Sequence, residues 1–122
     1  MKLKNFDFAQ KVYLHPEHTV KLKKNERPFP MTIEVDLTNH CNHRCSFCCW
    51  GEDIAVDKST LDTKTIKKCI YDMKKLGAKA ICFTGGGEPM IHKDFYKILS
   101  FTKKNDLDCG LITNGSAITK EH

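Results

Sequence analysis

Between residues 31 and 113 the spacing of apolar side chains changes period four times, and that succession restricts the chain to one class of fold. Ile33, Val35 and Leu37 alternate with Thr32, Glu34 and Asp36, which is the two-residue period of a strand. Ile66, Cys69, Ile70, Met73 and Leu76 then recur at intervals of three and four, which puts an apolar stripe on a helix. Asp62 is placed to cap that helix, Leu61 and Ile66 have the offsets of a hydrophobic staple, and Gly77 supplies a left-handed stop. A strand over Ala80–Thr84 follows, then a second helix with Phe95, Ile98, Leu99 and Thr102 on one face, ending near Asn105. A third strand is expected over 109–113. Helices of this length return the chain to begin a parallel neighbour by a right-handed crossover, so the expected fold is α/β with a three-stranded parallel βαβαβ sheet. Each strand ends in a similar triplet: Leu37-Thr38-Asn39, Phe83-Thr84-Gly85 and Ile112-Thr113-Asn114.

A length of 122 residues is that of one ordinary domain and one site, and 40% hydrophobic with 29% charged residues excludes a disordered or fibrous chain. Residues 1–30 have no clean period, close on Arg27-Pro28-Phe29-Pro30, and read as a basic extension ahead of a core over 31–122. Seven Lys and Arg against three acids give that extension +4 of the chain's net +5. The charge leaves nucleic acid open as a partner, although no interleaved aromatics support stacking on bases. The chain has seven cysteines, no signal-peptide core near Met1, and no apolar run near the roughly 20 residues of a membrane span. The expected setting is the cytoplasm, with reduced thiols, no membrane contact, and metal binding as the leading use of clustered cysteines.

Parallel strands put their carboxyl ends on one edge, where α/β folds assemble ligand sites, and here three unusual loops follow the three strands. The first holds Cys41, Cys45 and Cys48, spaced C-x3-C-x2-C within eight residues. Three soft ligands on one loop suit an iron–sulfur cube, whose fourth iron is then free to take a ligand. A structural zinc site wants four ligands, usually from two separate knuckles, and no second knuckle is present. The second loop is Gly85-Gly86-Gly87-Glu88-Pro89: glycines let backbone approach a ligand, and Glu88 can accept from an ammonium. The third is Asn114-Gly115, which by itself is also an ordinary turn.

These residues resemble the radical S-adenosylmethionine (radical SAM) family, whose C-x3-C-x-aromatic-C loop follows the first strand of a partial (βα)6 barrel. Phe47 takes the aromatic position, and Gly85 to Glu88 match the family's glycine-glycine-glutamate motif. The resemblance implies a 4Fe–4S cluster held by Cys41, Cys45 and Cys48, and S-adenosylmethionine contacted by the backbone near Phe47 and by Gly86, Gly87 and Glu88. Asn114 lies at the rim in similar proteins. It also implies an electron-donor protein and reductive cleavage of S-adenosylmethionine to a 5′-deoxyadenosyl radical. On this reading Glu88→Ala weakens S-adenosylmethionine binding and spares iron.

The family's barrel has about six strands and the sequence signals only three, so 31–122 reads as a truncated core, the cofactor-binding first half. An open, apolar third strand calls for a second copy or a complementary chain. The alternative is a noncatalytic iron–sulfur or zinc module. Trp50 reads as a shield over the cluster. Cys49, Cys69, Cys82 and Cys109 read as structural, and His15, His18, His92 and His122 as solvated or capping.

Overall fold

Three strands, β1 (Thr32–Asp36), β2 (Ala80–Thr84) and β3 (Asp108–Leu111), form one parallel sheet in the order β1-β2-β3. The computed structural model describes residues 13–50 and 58–119. Helix α1 (Pro16–Lys23) precedes the sheet, α2 (Thr63–Leu76) joins β1 to β2, and α3 (Phe95–Lys104) joins β2 to β3. The expected α/β fold is present. In register, Ile33 lies opposite Ile81, Val35 opposite Phe83, and Phe83 opposite Leu111.

The central strand is paired on both sides and covered by helices, and its residues are apolar for that reason. Ile81 and Phe83 are fully buried among Ile66 and Ile70 of α2, Phe95 and Ile98 of α3, and Leu37 and Leu107, while Ala80 is fully buried outside that cluster. Burial of each large side chain contributes about 1.5–3 kcal/mol. The Phe83 and Phe95 rings meet edge to face at 5.9 Å.

Asp62 caps α2, its carboxylate accepting from Lys64 N and Thr65 N at 3.0 Å, and Gly77 ends it at φ 109°. These bonds, led by those to Thr65, hold the Asp62 carboxyl below its ordinary range. The buried arc of α2 is narrower than its sequence stripe. Ile66 and Ile70 are buried and Met73 packs on the core, but Cys69 and Leu76 face solvent. At 3.6 residues per turn both sit roughly 60–80° round from Ile66, past the contact. Cys69 is therefore not a core thiol, and Cys49 is exposed as well. The staple is also absent in the expected form: Leu61 is 45% exposed. Its backbone works instead: its N–H donates to Leu37 O at 3.0 Å, and its carbonyl oxygen accepts from His92 Nε2 at 2.9 Å. His92 is accordingly buried and not solvated, and its Nδ1 accepts from Asp94 N.

β3 stops at Leu111, two residues short of the expected end, although Ile112 N still donates to Phe83 O at 2.9 Å. Burial raises the pKa of the Cys109 thiol on this strand, which suits a structural cysteine. Ahead of β1, α1 has Pro16 in its first turn, Glu17 beside it and Lys21 and Lys23 in the last turn, a start and stop pattern visible in the residue order. None of its residues is buried. Lys2, Lys4, Lys11 and His122 lie outside the described residues.

Charge is distributed more sharply than the sequence halves suggested. α2 and α3 carry eight lysines against Asp72 alone, so two helices hold +7 of a chain whose total is +5. Just before α3, Asp94 accepts from Lys97 Nζ at 2.6 Å and from Thr63 Oγ1 at 2.7 Å, tying α3 to the start of α2. The Lys97 ammonium first, then the Thr63 hydroxyl, lowers the Asp94 pKa to about 2. A depressed carboxylate stabilises the fold above its unfolded pKa of about 3.9 and loses that contribution as pH falls toward the folded value. Asp94→Asn should therefore flatten the fall in thermal midpoint between about pH 4 and pH 2, as followed by circular dichroism.

Candidate metal and cofactor site

The loop after β1 is fixed before its first cysteine. Leu61 N donates to Leu37 O and Asn39 N to Ser59 O, while Thr38 and Thr60 form an isolated antiparallel bridge with their hydroxyl oxygens 2.7 Å apart. Thr38 Oγ1 also accepts from His40 N at 3.0 Å. The chain then meets the glycine loop, where Glu88 N donates to His40 O at 2.7 Å.

Two of the three glycines are required by this contact between loops. Gly85 has φ 138°, and a Cβ there would lie 2.6 Å from the Asp36 carboxylate carbon. A Cβ on Gly87 would overlap the carbonyl oxygens of His40 and Thr38. Gly86 is freer, with Asn39 Oδ1 at 3.2 Å and the Trp50 ring at 3.7 Å from the same hypothetical atom, and its N–H donates to Asp36 Oδ2 at 3.3 Å. Trp50 thus lies over Gly86, half-exposed.

Glu88 is 2% exposed and binds the third loop to the second. Its Oε1 accepts from Met90 N at 2.9 Å and Thr113 Oγ1 at 2.7 Å, and its Oε2 from Asn114 N at 2.8 Å. A carboxylate has about four lone-pair positions, so one is left for a ligand. Asn114 in turn reaches the first loop: its Nδ2 donates to Asn42 Oδ1 at 2.8 Å and lies 4.0 Å from Cys41 Sγ as an N–H···S donor. Ser116 Oγ is 2.6 Å from His43 Nε2. The three loops form a closed circuit of hydrogen bonds.

They enclose a cavity of about 940 Å³ lined by Cys41, Cys45, Cys48, Gly86, Gly87, Glu88 and Asn114 among others. Of the sequence-nominated residues only Phe47 is outside it, with a ring 88% exposed. Sequence reading overlooked Asp36 and Thr113, which position the second and third loops. The repeated apolar-Thr triplet carried the signal for Thr113, since both Thr38 and Thr113 use their hydroxyls to tie loops together.

The cysteines fit an iron–sulfur cluster by the chemistry of the donor set. All three are free, partly buried thiols on one wall, and Cys41 Sγ also accepts from His43 N at 3.4 Å. N–H donors of this kind stabilise thiolates and tune clusters. Among the described residues no three His, Cys, Asp or Glu side chains could hold one metal ion, whereas the thiolates of a cluster ligand different irons. Among the same residues no helix is long and apolar enough to cross a membrane.

A parallel βα sheet with a thiol-lined cavity at its carboxyl edge defines a metal-cofactor protein of the (βα)-barrel kind. The sequence profile of the radical SAM superfamily matches residues 35–122, and the chain belongs to that superfamily, whose cofactors are a 4Fe–4S cluster and S-adenosylmethionine. It is 28% identical over 107 residues to Fe-coproporphyrin III synthase of Methanosarcina barkeri, covering 87% of this chain and 26% of that protein. It is 31% identical over 90 residues to a probable GTP 3′,8-cyclase of Thermococcus kodakarensis, covering 73% and 29%. The chain thus spans under a third of these relatives. Among solved structures, Streptococcus suis SuiB bound to its precursor peptide SuiA superposes with TM-score 0.69 at 21% identity, over 98% of this chain and 27% of SuiB. BtrN in complex with AdoMet and 2-DOIA gives 0.61 at 23%, over 75% and 38%.

Proposed function

We propose that residues 31–122 are the cofactor-binding half of a radical SAM enzyme, with residues 1–30 as a basic extension. The observation that carries this is the convergence of Cys41, Cys45 and Cys48 with Gly86, Gly87, Glu88 and Asn114 on one cavity. The three thiolates would hold the cluster. The open lone pair of Glu88, with the backbone of Gly86 and Gly87, would receive the amino group of S-adenosylmethionine, and the backbone near Phe47 its adenine. When bound, the cofactor pair supplies reductive cleavage of S-adenosylmethionine by one electron from a donor protein. The chain's own residues orient the two cofactors: Glu88 and Asn114 hold the β3 loop against the cysteine loop, and Trp50 covers the glycine turn.

Catalysis further needs polypeptide that covers β3, in the form of a second copy, a complementary chain or more of the same protein. Among the described residues β3 pairs only with β2, and Leu111, Ile112 and Ile118 beyond and beside that edge are exposed. An apolar open edge of this kind is normally paired or covered.

The test is anaerobic reconstitution with iron and sulfide. Brown protein, a reduced paramagnetic signal that changes on adding S-adenosylmethionine, and 5′-deoxyadenosine formed under strong reductant in the presence of the covering polypeptide are the expected results. Colourless protein that takes up zinc instead would replace this reading with a noncatalytic metal module.

A further inference from the structure

The cavity wall carries two cations that the cofactor reading leaves unused. Arg44 stands between Cys41 and Cys45, and Lys58 is on the segment leading back to α2, yet both line the same cavity. Lys58 owes its place to its neighbours, because Ser59 O accepts from Asn39 N and Thr60 bridges Thr38, which lays this segment beside the end of β1. Neither Arg44 nor Lys58 makes a side-chain hydrogen bond or ion pair with a described residue. His43, which also lines the cavity, has its Nε2 2.6 Å from Ser116 Oγ. The lining contains one carboxylate, Glu88, and that group is buried and engaged by three donors of its own.

We infer that Arg44 and Lys58 form an anion subsite on the cavity wall, taking a carboxylate or phosphate of a small-molecule ligand. The guanidinium offers a planar fork to paired oxygens and the ammonium adds a compact charge, a combination suited to either anion. The inference rests on the cofactor reading to the extent that the anion is the carboxylate of S-adenosylmethionine. An anionic group on a second ligand would use the same chemistry.

The experiment uses the anaerobically reconstituted chain with Arg44→Gln, Lys58→Gln and, on the outer face of α3, Lys104→Gln. Calorimetry measures binding of S-adenosylmethionine, its decarboxylated analogue and inorganic pyrophosphate, with iron content determined in parallel. If the subsite holds the cofactor's carboxylate, the parent chain prefers S-adenosylmethionine to the analogue by about tenfold, and both site variants erase that preference without weakening the analogue. If it serves a second ligand, the preference is unchanged in the variants, and pyrophosphate binds alongside S-adenosylmethionine with a Kd that each site variant raises about tenfold. Site variants that alter neither quantity overturn the inference, and so does Lys104→Gln weakening pyrophosphate as much as they do. Failure of the cofactor reading looks different, because the parent chain would then retain no iron and bind neither sulfonium compound. Pyrophosphate binding alone then decides the subsite. Should Arg44→Gln lose iron through its neighbour Cys45, Lys58→Gln, remote in sequence from the cysteines, decides by itself.

Discussion

Glu88→Ala is expected to lower the thermal midpoint by about 10 °C and to cut iron uptake to less than half, along with S-adenosylmethionine binding. The size follows from what the carboxylate does in the apo fold. Removing it leaves the N–H groups of Met90 and Asn114 without their acceptor at a position that is 2% exposed, together with a small void. A buried donor stripped of its partner costs about 1–3 kcal/mol, so two cost about 3 kcal/mol or more. The Thr113 hydroxyl is released as well, although it still accepts from Gly115 N at 3.0 Å. Iron is lost because Asn114, once freed from Glu88, no longer fixes Asn42 and Cys41. Glu88→Gln sharpens the test. It keeps one oxygen for Met90 and Thr113 but turns an NH2 group toward Asn114 N, so it should retain most stability while the cysteine loop loosens. The measurements are thermal melts of apo protein and iron per chain after reconstitution. An alanine variant with the parent's midpoint and full iron, impaired only in S-adenosylmethionine affinity, would restore the simpler role read from the motif.

That simpler role shows where sequence reading stopped. Periodicity located the strands and helices because core burial imposes it, and the parallel order then placed three loops on one edge. Cys41, Cys45, Cys48, Gly87 and Glu88 were legible as candidates because thiols, glycine runs and an acid beside them are uncommon together. What a motif cannot carry is a partner distant in sequence. Glu88 meets Asn114 and Thr113, Asn114 meets Asn42, and Gly85 meets Asp36, each pairing spanning tens of residues and set by the sheet register. The same limit explains Cys69 and Leu76. Spacing fixes which residues share a helix side, but the width of the neighbour they pack on decides how much of that side is buried. The +7 on α2 and α3 was readable by counting, and was hidden by averaging those helices with the acidic residues before α2 and after α3.

Gly87→Ala should be more damaging than any other single-methyl change in the glycine loop, and its comparison with Gly86→Ala separates two reasons for a glycine. A ligand-approach glycine is open in the apo fold and closes on its guest; a packing glycine is already filled by protein. At Gly86 the added carbon meets a side-chain oxygen of Asn39 at 3.2 Å, which can shift by rotation, and the Trp50 ring at ordinary contact distance. Expected loss of stability is under about 1 kcal/mol, with iron retained and S-adenosylmethionine affinity reduced if ligand lies against it. At Gly87 the added carbon overlaps two backbone carbonyls, those of His40 and Thr38, and no side-chain rotation relieves it. Relief requires the loops after β1 and β2 to separate, which breaks the 2.7 Å bond from Glu88 N to His40 O and pulls on the strand ends behind it. Overpacking against backbone then costs about 3 kcal/mol or more, and the cysteine loop loses the surface that orients it. Melting of the two apo variants side by side, with iron per chain, measures the difference. Equal midpoints would mean that the two loops do not lean on each other as closely as this packing requires. The cavity would then be a product of ligand binding, whereas a large gap between the variants means that its walls are already set when the cofactors arrive.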